Sequence, residues 1–115
     1  MIVNYIPEDA QNVIDYEINE RTGKITLGDD ELDINLKKRE RDDEVSIDIC
    51  MDYMGNLVIG VSKDATKYVA QIIIPARQYT EIEEEGDQEG ETVIRREPVP
   101  FDIDNCTLTL WELEE

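Results

Sequence analysis

The 115-residue chain has no histidine, one tryptophan, one phenylalanine and two cysteines, and only 11 basic side chains stand against 29 acidic ones. Each shortage closes off a chemistry. Without histidine there is no Ser-His-Asp or Cys-His arrangement, no histidine general base and no histidine-ligated zinc. Cys50 and Cys106 lie far apart and outside any CxxC spacing, so they cannot build a structural zinc site alone. With no sign of secretion, both are expected to remain reduced. Neither a P-loop nor GxGxxG occurs, which removes the usual signs of nucleotide binding. Paired carboxylates can hydrolyse a glycoside. One Trp and one Phe, however, leave few platforms for stacking a sugar. The chain is not expected to be an enzyme, and no catalytic residue, metal or cofactor is assigned.

Long hydrophobic runs are also missing. The opening "MIVNYIPEDAQ" lacks the basic segment and apolar core of a signal peptide. No stretch approaches the roughly 20 apolar residues that span a bilayer. The expectation is a cytoplasmic protein. Its net charge of −18 repels phosphates and anionic lipid and attracts basic surfaces. Direct nucleic-acid or membrane binding is therefore not expected. The expected partner is a protein, either a second copy in a homo-oligomer or a basic host protein.

What is present is a period of two. In "LDINL", Leu32, Ile34 and Leu36 share one face, and in "VSIDICM" Val45, Ile47, Ile49 and Met51 do the same. "LVIGV" repeats the pattern after the turn "YMGN", which predicts a hairpin. A second hairpin is predicted over "VIDYEINERTGKITLG", with Gly23 supplying the turn. "YVAQIIIP" places Tyr68, Ala70, Ile72 and Ile74 on one face and Val69, Gln71 and Ile73 on the other. Apolar residues on both faces suggest a central strand with a second contact surface, ended by Pro75. "NCTLTLWELE" sets Leu108 and Leu110 against Thr107, Thr109, Trp111 and Leu113. Helical signals are confined to short turns in "IPEDAQNVI" and "SKDATKY". The whole predicts an all-β protein, a single-domain antiparallel β-sandwich or flattened β-barrel of about eight strands over residues 1–115.

The tract "EIEEEGDQEGE", residues 81–91, holds seven carboxylates and no basic group. Flanked by β-compatible "QYTEIE" and "ETVIRR", residues 84–91 or so read as the mobile, solvated tip of a long hairpin. A calcium site would need six to eight oxygens around one ion, and the tract lacks the regular DxDxDG spacing that would arrange them. The third reading is a decoy for a basic protein, since B-DNA carries about one charge per 1.7 Å of axis. The candidate interaction residues are Glu83, Glu84, Glu85, Asp87, Glu89 and Glu91, together with Ile73 and Trp111 on the apolar strands. Among the basic minority, "LKKRERDDE" reads as a strand-to-strand loop with internal charge pairing. Arg95 and Arg96 are expected to face the acidic arm of their own hairpin. Trp111 is read either as core or as an exposed anchor.

"VAQIIIPARQY", the acidic loop and "PVPFDIDNCTLTLWEL" together resemble small uncharacterised proteins of prophages and other mobile elements of Gram-positive gut bacteria. The resemblance spans residues 67–113 and rests on Pro75, Arg77, Tyr79, Pro98, Pro100, Asp102 and Trp111. It implies a phage or mobile-element protein that acts by binding, and it carries no catalytic residues. The leading expectation is a non-catalytic protein–protein interaction or structural module. The alternative is an acidic, nucleic-acid-mimicking inhibitor of a host nuclease or other defence protein.

Overall fold

Alternating apolar and polar residues become strands along nearly the whole chain. The computed structural model describes residues 1–60 and 65–113. The strands among them are β1 (Ile2–Ile6), β2 (Tyr16–Asn19), β3 (Lys24–Leu27), β4 (Leu32–Asn35), β5 (Val45–Asp52), β6 (Leu57–Ile59), β7 (Ala65–Ile74), β8 (Tyr79–Glu85), β9 (Thr92–Pro98) and β10 (Thr107–Trp111). A one-turn helix, α1 (Leu36–Arg39), and a 3-10 turn, Ile103–Asn105, complete the described elements. The protein is all-β, with ten described strands where about eight were expected.

They form a five-stranded sheet in the order β1-β10-β7-β5-β6, a three-stranded sheet β2-β3-β4, and a separate ribbon β8-β9. Ile25, Leu27 and Ile34 of the three-stranded sheet and Ile47, Ile49, Ile72, Ile74, Leu108 and Leu110 of the five-stranded sheet lie in one buried cluster. Leu36 of α1 joins them, fully buried. Each such side chain contributes about 1.5–3 kcal/mol by leaving water, so this shared face is the main cohesive term. Both cysteines lie buried and unbridged.

Both predicted hairpins are present. Ile18 pairs with Ile25 across a turn in which Gly23 has φ +71°, and Met51 pairs with Leu57 across a turn in which Gly55 has φ +85°. Val61 lies outside the described residues. β7 is central and ends at Ile74, before Pro75.

Several expectations are corrected. The pairing is not wholly antiparallel, because β1 runs parallel to β10, with Ile2 opposite Thr107 and Ile6 opposite Trp111. Tyr68 does not share a face with Ala70, Ile72 and Ile74. Ile49 pairs with Ala70 but Cys50 with Tyr68, so Val69 is the extra residue of a bulge. A bulge resets the alternation and turns Tyr68 to the opposite face. "LDINL" stops being strand at Asn35, whose side chain accepts the Lys38 amide at 3.1 Å and caps α1. In "IPEDAQNVI" there is a turn, with the Ala10 amide on the Pro7 carbonyl at 2.9 Å, and no helix. Of "SKDATKY", Ser62, Lys63 and Asp64 lie outside the described residues, and Ala65 to Tyr68 belong to β7.

The β8-β9 ribbon leaves the body. Every β9 residue is exposed, and on β8 only Tyr79 and Ile82 are half-buried. A compact chain of this length has a radius of gyration of about 13 Å. The observed value is 19.0 Å, with extents of 71 × 29 × 23 Å. The ladder runs to Glu85 opposite Thr92, slightly beyond the predicted start of the tip, and residues 86–91 close it. There the Gly86 amide bonds the Glu91 carbonyl at 2.8 Å, and Gly90 takes φ +80°.

Candidate interaction surfaces

The five-stranded sheet has a second face, turned away from the core. Strand alternation and register place Ile2, Asn4 and Ile6 there from β1, Thr107, Thr109 and Trp111 from β10, Gln71 and Ile73 from β7, and Ser46 and Asp48 from β5. The bulge adds Tyr68, whose ring packs on Trp111 at 5.2 Å between centroids and a tilt of 59°. Charged residues make up 35% of the chain, yet among the described residues this face carries two: Asp52, which ends β5 and accepts the Met54 and Asn56 amides at 2.9 Å each, and, amid the apolar side chains, Asp48. Its carboxylate accepts from Gln71 Nε2 at 3.1 Å and from the Tyr68 hydroxyl, and that bond, before burial, pushes the Tyr68 phenol up to about 12. Ile2 is 54% exposed and Ile6 45%, Tyr68 39%, while Ile73 and Trp111 are half-buried. The result is an aliphatic row through Ile2 and Ile73, a polar row through Asn4, Thr109 and Gln71, and a row through Ile6, Trp111 and Tyr68. Ile73 and Trp111 stand at opposite ends, about four residues or 13 Å apart along the strands.

The ribbon has two unlike faces. On one, Arg95 bridges Glu84 at 2.9 Å and Glu97 at 2.7 Å, so two carboxylates share one cation. On the other, Arg96 lies over the Tyr79 ring at 4.6 Å, and Glu83 and Glu85, opposite Ile94 and Thr92, have no ion pair among the described residues. Ile94 is 59% exposed there. Both arginines thus face the acidic arm as expected, Arg95 in ion pairs and Arg96 opposite Glu81 in register, with its guanidinium stacked on Tyr79. Asp87, Glu89 and Glu91 occupy the tip, also exposed.

At its root the ribbon is fastened by Arg77, which reaches Glu40 Oε1 and Asp42 Oδ1 at 3.3 Å each and the Glu40 carbonyl at 3.0 Å. The Tyr79 hydroxyl donates to Asp42 at 2.5 Å, and the Arg77 amide to the Arg41 carbonyl at 2.8 Å. Arg77 and Tyr79, singled out by spacing in the sequence, therefore hold the ribbon to the segment after α1. A cavity of about 260 Å³ lies beneath, lined by Glu40, Pro75, Gln78, Pro100, Phe101 and Asp102 among others. Both of its carboxylates have structural partners: Glu40 holds Arg77, and Asp102 accepts the Asp104 amide at 2.9 Å.

One cluster was not legible in the sequence. The Gly23 carbonyl accepts the amides of Leu36 at 2.9 Å and Lys37 at 3.3 Å, and Lys24 pairs with Asn35. The β2-β3 turn is thereby laid against α1. Arg21 and Lys24 join Lys37, Lys38, Arg39 and Arg41, bringing six of the 11 basic residues to one end of the three-stranded sheet. All six are exposed, and none forms an ion pair with another described residue. The expectation that "LKKRERDDE" pairs its charges internally is overturned for these side chains. Its acids Glu40 and Asp42 are taken by Arg77 instead.

The eight predicted interaction residues thus fall into two separate places. Glu83, Glu84, Glu85, Asp87, Glu89 and Glu91 lie on the outer ribbon, and Ile73 and Trp111 on the outer sheet face. Among the described residues, no three His, Cys, Asp or Glu side chains converge so as to hold a metal ion, and no helix is long and apolar enough to cross a membrane. No family model, curated protein or solved structure matches the chain.

Proposed function

We propose that the chain is a non-catalytic protein–protein interaction or structural module of the cytoplasm, encoded by a phage or mobile element, as the resemblance implies. In this reading the three-stranded and five-stranded sheets form the two layers of a β-sandwich within one domain. The outer face of the five-stranded sheet docks a partner protein from the same element that presents a flat, uncharged, apolar surface. One observation carries the reading: a chain that is 35% charged leaves on that face, among the described residues, only two carboxylates, both internally bonded. Depletion of charge and enrichment in Trp and Tyr mark the centres of interfaces.

The test uses the tagged protein as bait, washed at about 50 and 300 mM salt, where electrostatic contacts weaken and apolar ones do not. A salt-resistant protein of the same element, lost on Trp111→Ala or Ile73→Asp while the variants melt as the parent does, is the expected result. Folded variants that retain the same partner overturn the proposal. The ribbon's carboxylates favour a second reading, in which an acidic inhibitor occupies the nucleic-acid channel of a host nuclease or defence protein. That reading expects a basic partner held at low salt, shed at high salt and lost when acids at 83–91 are neutralised together.

A further inference from the structure

The free ribbon and the basic cluster are complementary, and one molecule cannot bring them together. Seven residues of β8 extend about 20 Å at the usual rise per residue. The ribbon is rooted at Arg77 and Tyr79, against Arg41 and Asp42, so it starts beside its own cluster and runs away from it. Glu83 and Glu85 stand about 13 and 20 Å farther along. Only a second copy can supply the contact.

We propose that two copies associate by exchanging ribbons about a two-fold axis. The ribbon face bearing Glu83, Glu85 and Ile94 lies on the partner's α1 and β2-β3 turn. The geometry suits closure: with the cluster at the root and the acids toward the tip, two ribbons placed side by side and antiparallel each bring their tip to the other's root. A contact repeated in both directions is the isologous kind that ends at a dimer. The ribbon face chosen is the one whose carboxylates are unpaired, since the opposite face spends its charge on Arg95. Within the cluster an apolar patch is available for Ile94. Phe101 is half-buried beside Gly23, 3.3 Å from where a β-carbon would stand. This contact does not involve the outer sheet face and stands or falls separately from the docking proposed above.

Overall charge makes the prediction unusually specific. Two chains of net −18 repel each other at long range, and at about 0.15 M salt the Debye length of about 8 Å leaves mainly local contacts in play. Replacing Glu83, Glu85 and Glu89 together by Lys changes the net charge from −18 to −12, and repulsion alone would then favour association. The ribbon-exchange contact demands the reverse. The complementary variant, Lys37→Glu with Lys38→Glu and Arg39→Glu, carries −24. All six positions are exposed and lack ion pairs among the described residues, so both variants are expected to fold, as circular dichroism and melting would verify.

Sedimentation equilibrium up to about 1 mM protein at 0.15 M salt is expected to show a parent dimer whose dissociation constant rises at least about tenfold in each variant alone. An equimolar mixture of the two variants should recover a heterodimer through the swapped charges. A parent that stays monomeric overturns the proposal, as does a ribbon variant that dimerises as tightly as the parent or more so. A dimer insensitive to both variants but broken by Trp111→Ala also overturns it and assigns self-association to the outer sheet face.

Discussion

Gly23 joins the two sequence segments that make the basic cluster, and replacing it by alanine tests that joint directly. Its φ of +71° lies in the left-handed region, its amide bonds the Asn19 carbonyl at 2.9 Å, and its carbonyl holds the start of α1. An alanine there meets two separate penalties. The left-handed backbone costs a non-glycine residue about 1–2 kcal/mol. The new methyl would also stand 2.9 Å from Lys37 Cβ, an atom fixed to the helix backbone and unable to swing aside as a side-chain end could. Forcing the helix start and Phe101 outward adds about 1–3 kcal/mol, the usual range for overpacking. Gly55 provides the control, since its φ is +85° and a β-carbon there meets nothing within 4 Å.

Gly55→Ala should therefore cost only the backbone term, about 1–2 kcal/mol, and Gly23→Ala about 2–5 kcal/mol. For a domain of this size about 1 kcal/mol moves the melting temperature by about 4 °C. Scanning calorimetry is thus expected to show losses of about 4–8 °C at Gly55 and about 8–20 °C at Gly23. Equal losses at the two sites, with urea midpoints in agreement, would refute the idea that close packing between the β2-β3 turn and α1 sets the cost.

Three further outcomes follow from single contacts. Asn35→Ala removes the cap on Lys38 and should lower stability by about 1 kcal/mol, with Asn35→Asp near neutral; unchanged melting of the alanine variant would count against the cap. Burial pushes the Cys106 thiol up to about 11, so a thiol reagent at pH 8 should label Cys106 only after denaturant is added, and rapid native labelling at that residue would contradict its packing. The Tyr68 phenol, held at about 12 chiefly by its bond to Asp48, sits above the ordinary value of 10.0. Its stabilising contribution is fully present below pH 10 and lost as pH rises through 12, because the unfolded chain gives up that proton first. Tyr16 is also raised, by its hydrogen bond with Tyr5, so the assay is the difference that Asp48→Asn makes: tyrosinate absorbance should show one late-titrating tyrosine shift downward in that variant, and an unchanged titration would exclude the bond.

Much of the strand pattern was readable because β-structure writes a period of two into the sequence wherever one face is buried. Ile25 and Leu27, Ile47 and Ile49, and Leu108 and Leu110 all point inward as their spacing predicts. The departures have local causes that alternation does not encode. Tyr68 changes face because Val69 is an inserted residue opposite β5, and "YVAQIIIP" looks the same with or without a bulge. Leu36 fits the apolar period of "LDINL" and is indeed buried, but as the first residue of a helix that Asn35 starts. β1 carries its own alternation in Ile2, Val3, Asn4, Tyr5 and Ile6. Its partner, β10, lies at the other end of the chain, and nothing local announces a parallel pairing.

The surfaces divide in the same way. The acidic ribbon was legible because its charges are contiguous in sequence. The outer sheet face was half legible, through Ile73 and Trp111, but its scarcity of charge emerges only when β1, β10, β7 and β5 are set side by side. The basic cluster was hidden more deeply. Lys37, Lys38, Arg39 and Arg41 are followed by Asp42, Asp43 and Glu44, and in a linear sequence neighbouring opposite charges suggest neutralisation. Folding breaks that pairing, because Arg77 arrives from the root of the ribbon and takes Glu40 and Asp42, while Gly23 brings Arg21 and Lys24 to the cations left over. The contact that fastens the ribbon thus also withdraws two of the carboxylates that adjoin the cluster in sequence. A chain with 29 acidic residues keeps an exposed basic surface in part because one arginine at the ribbon root occupies Glu40 and Asp42, the two acids that flank Arg41 in sequence.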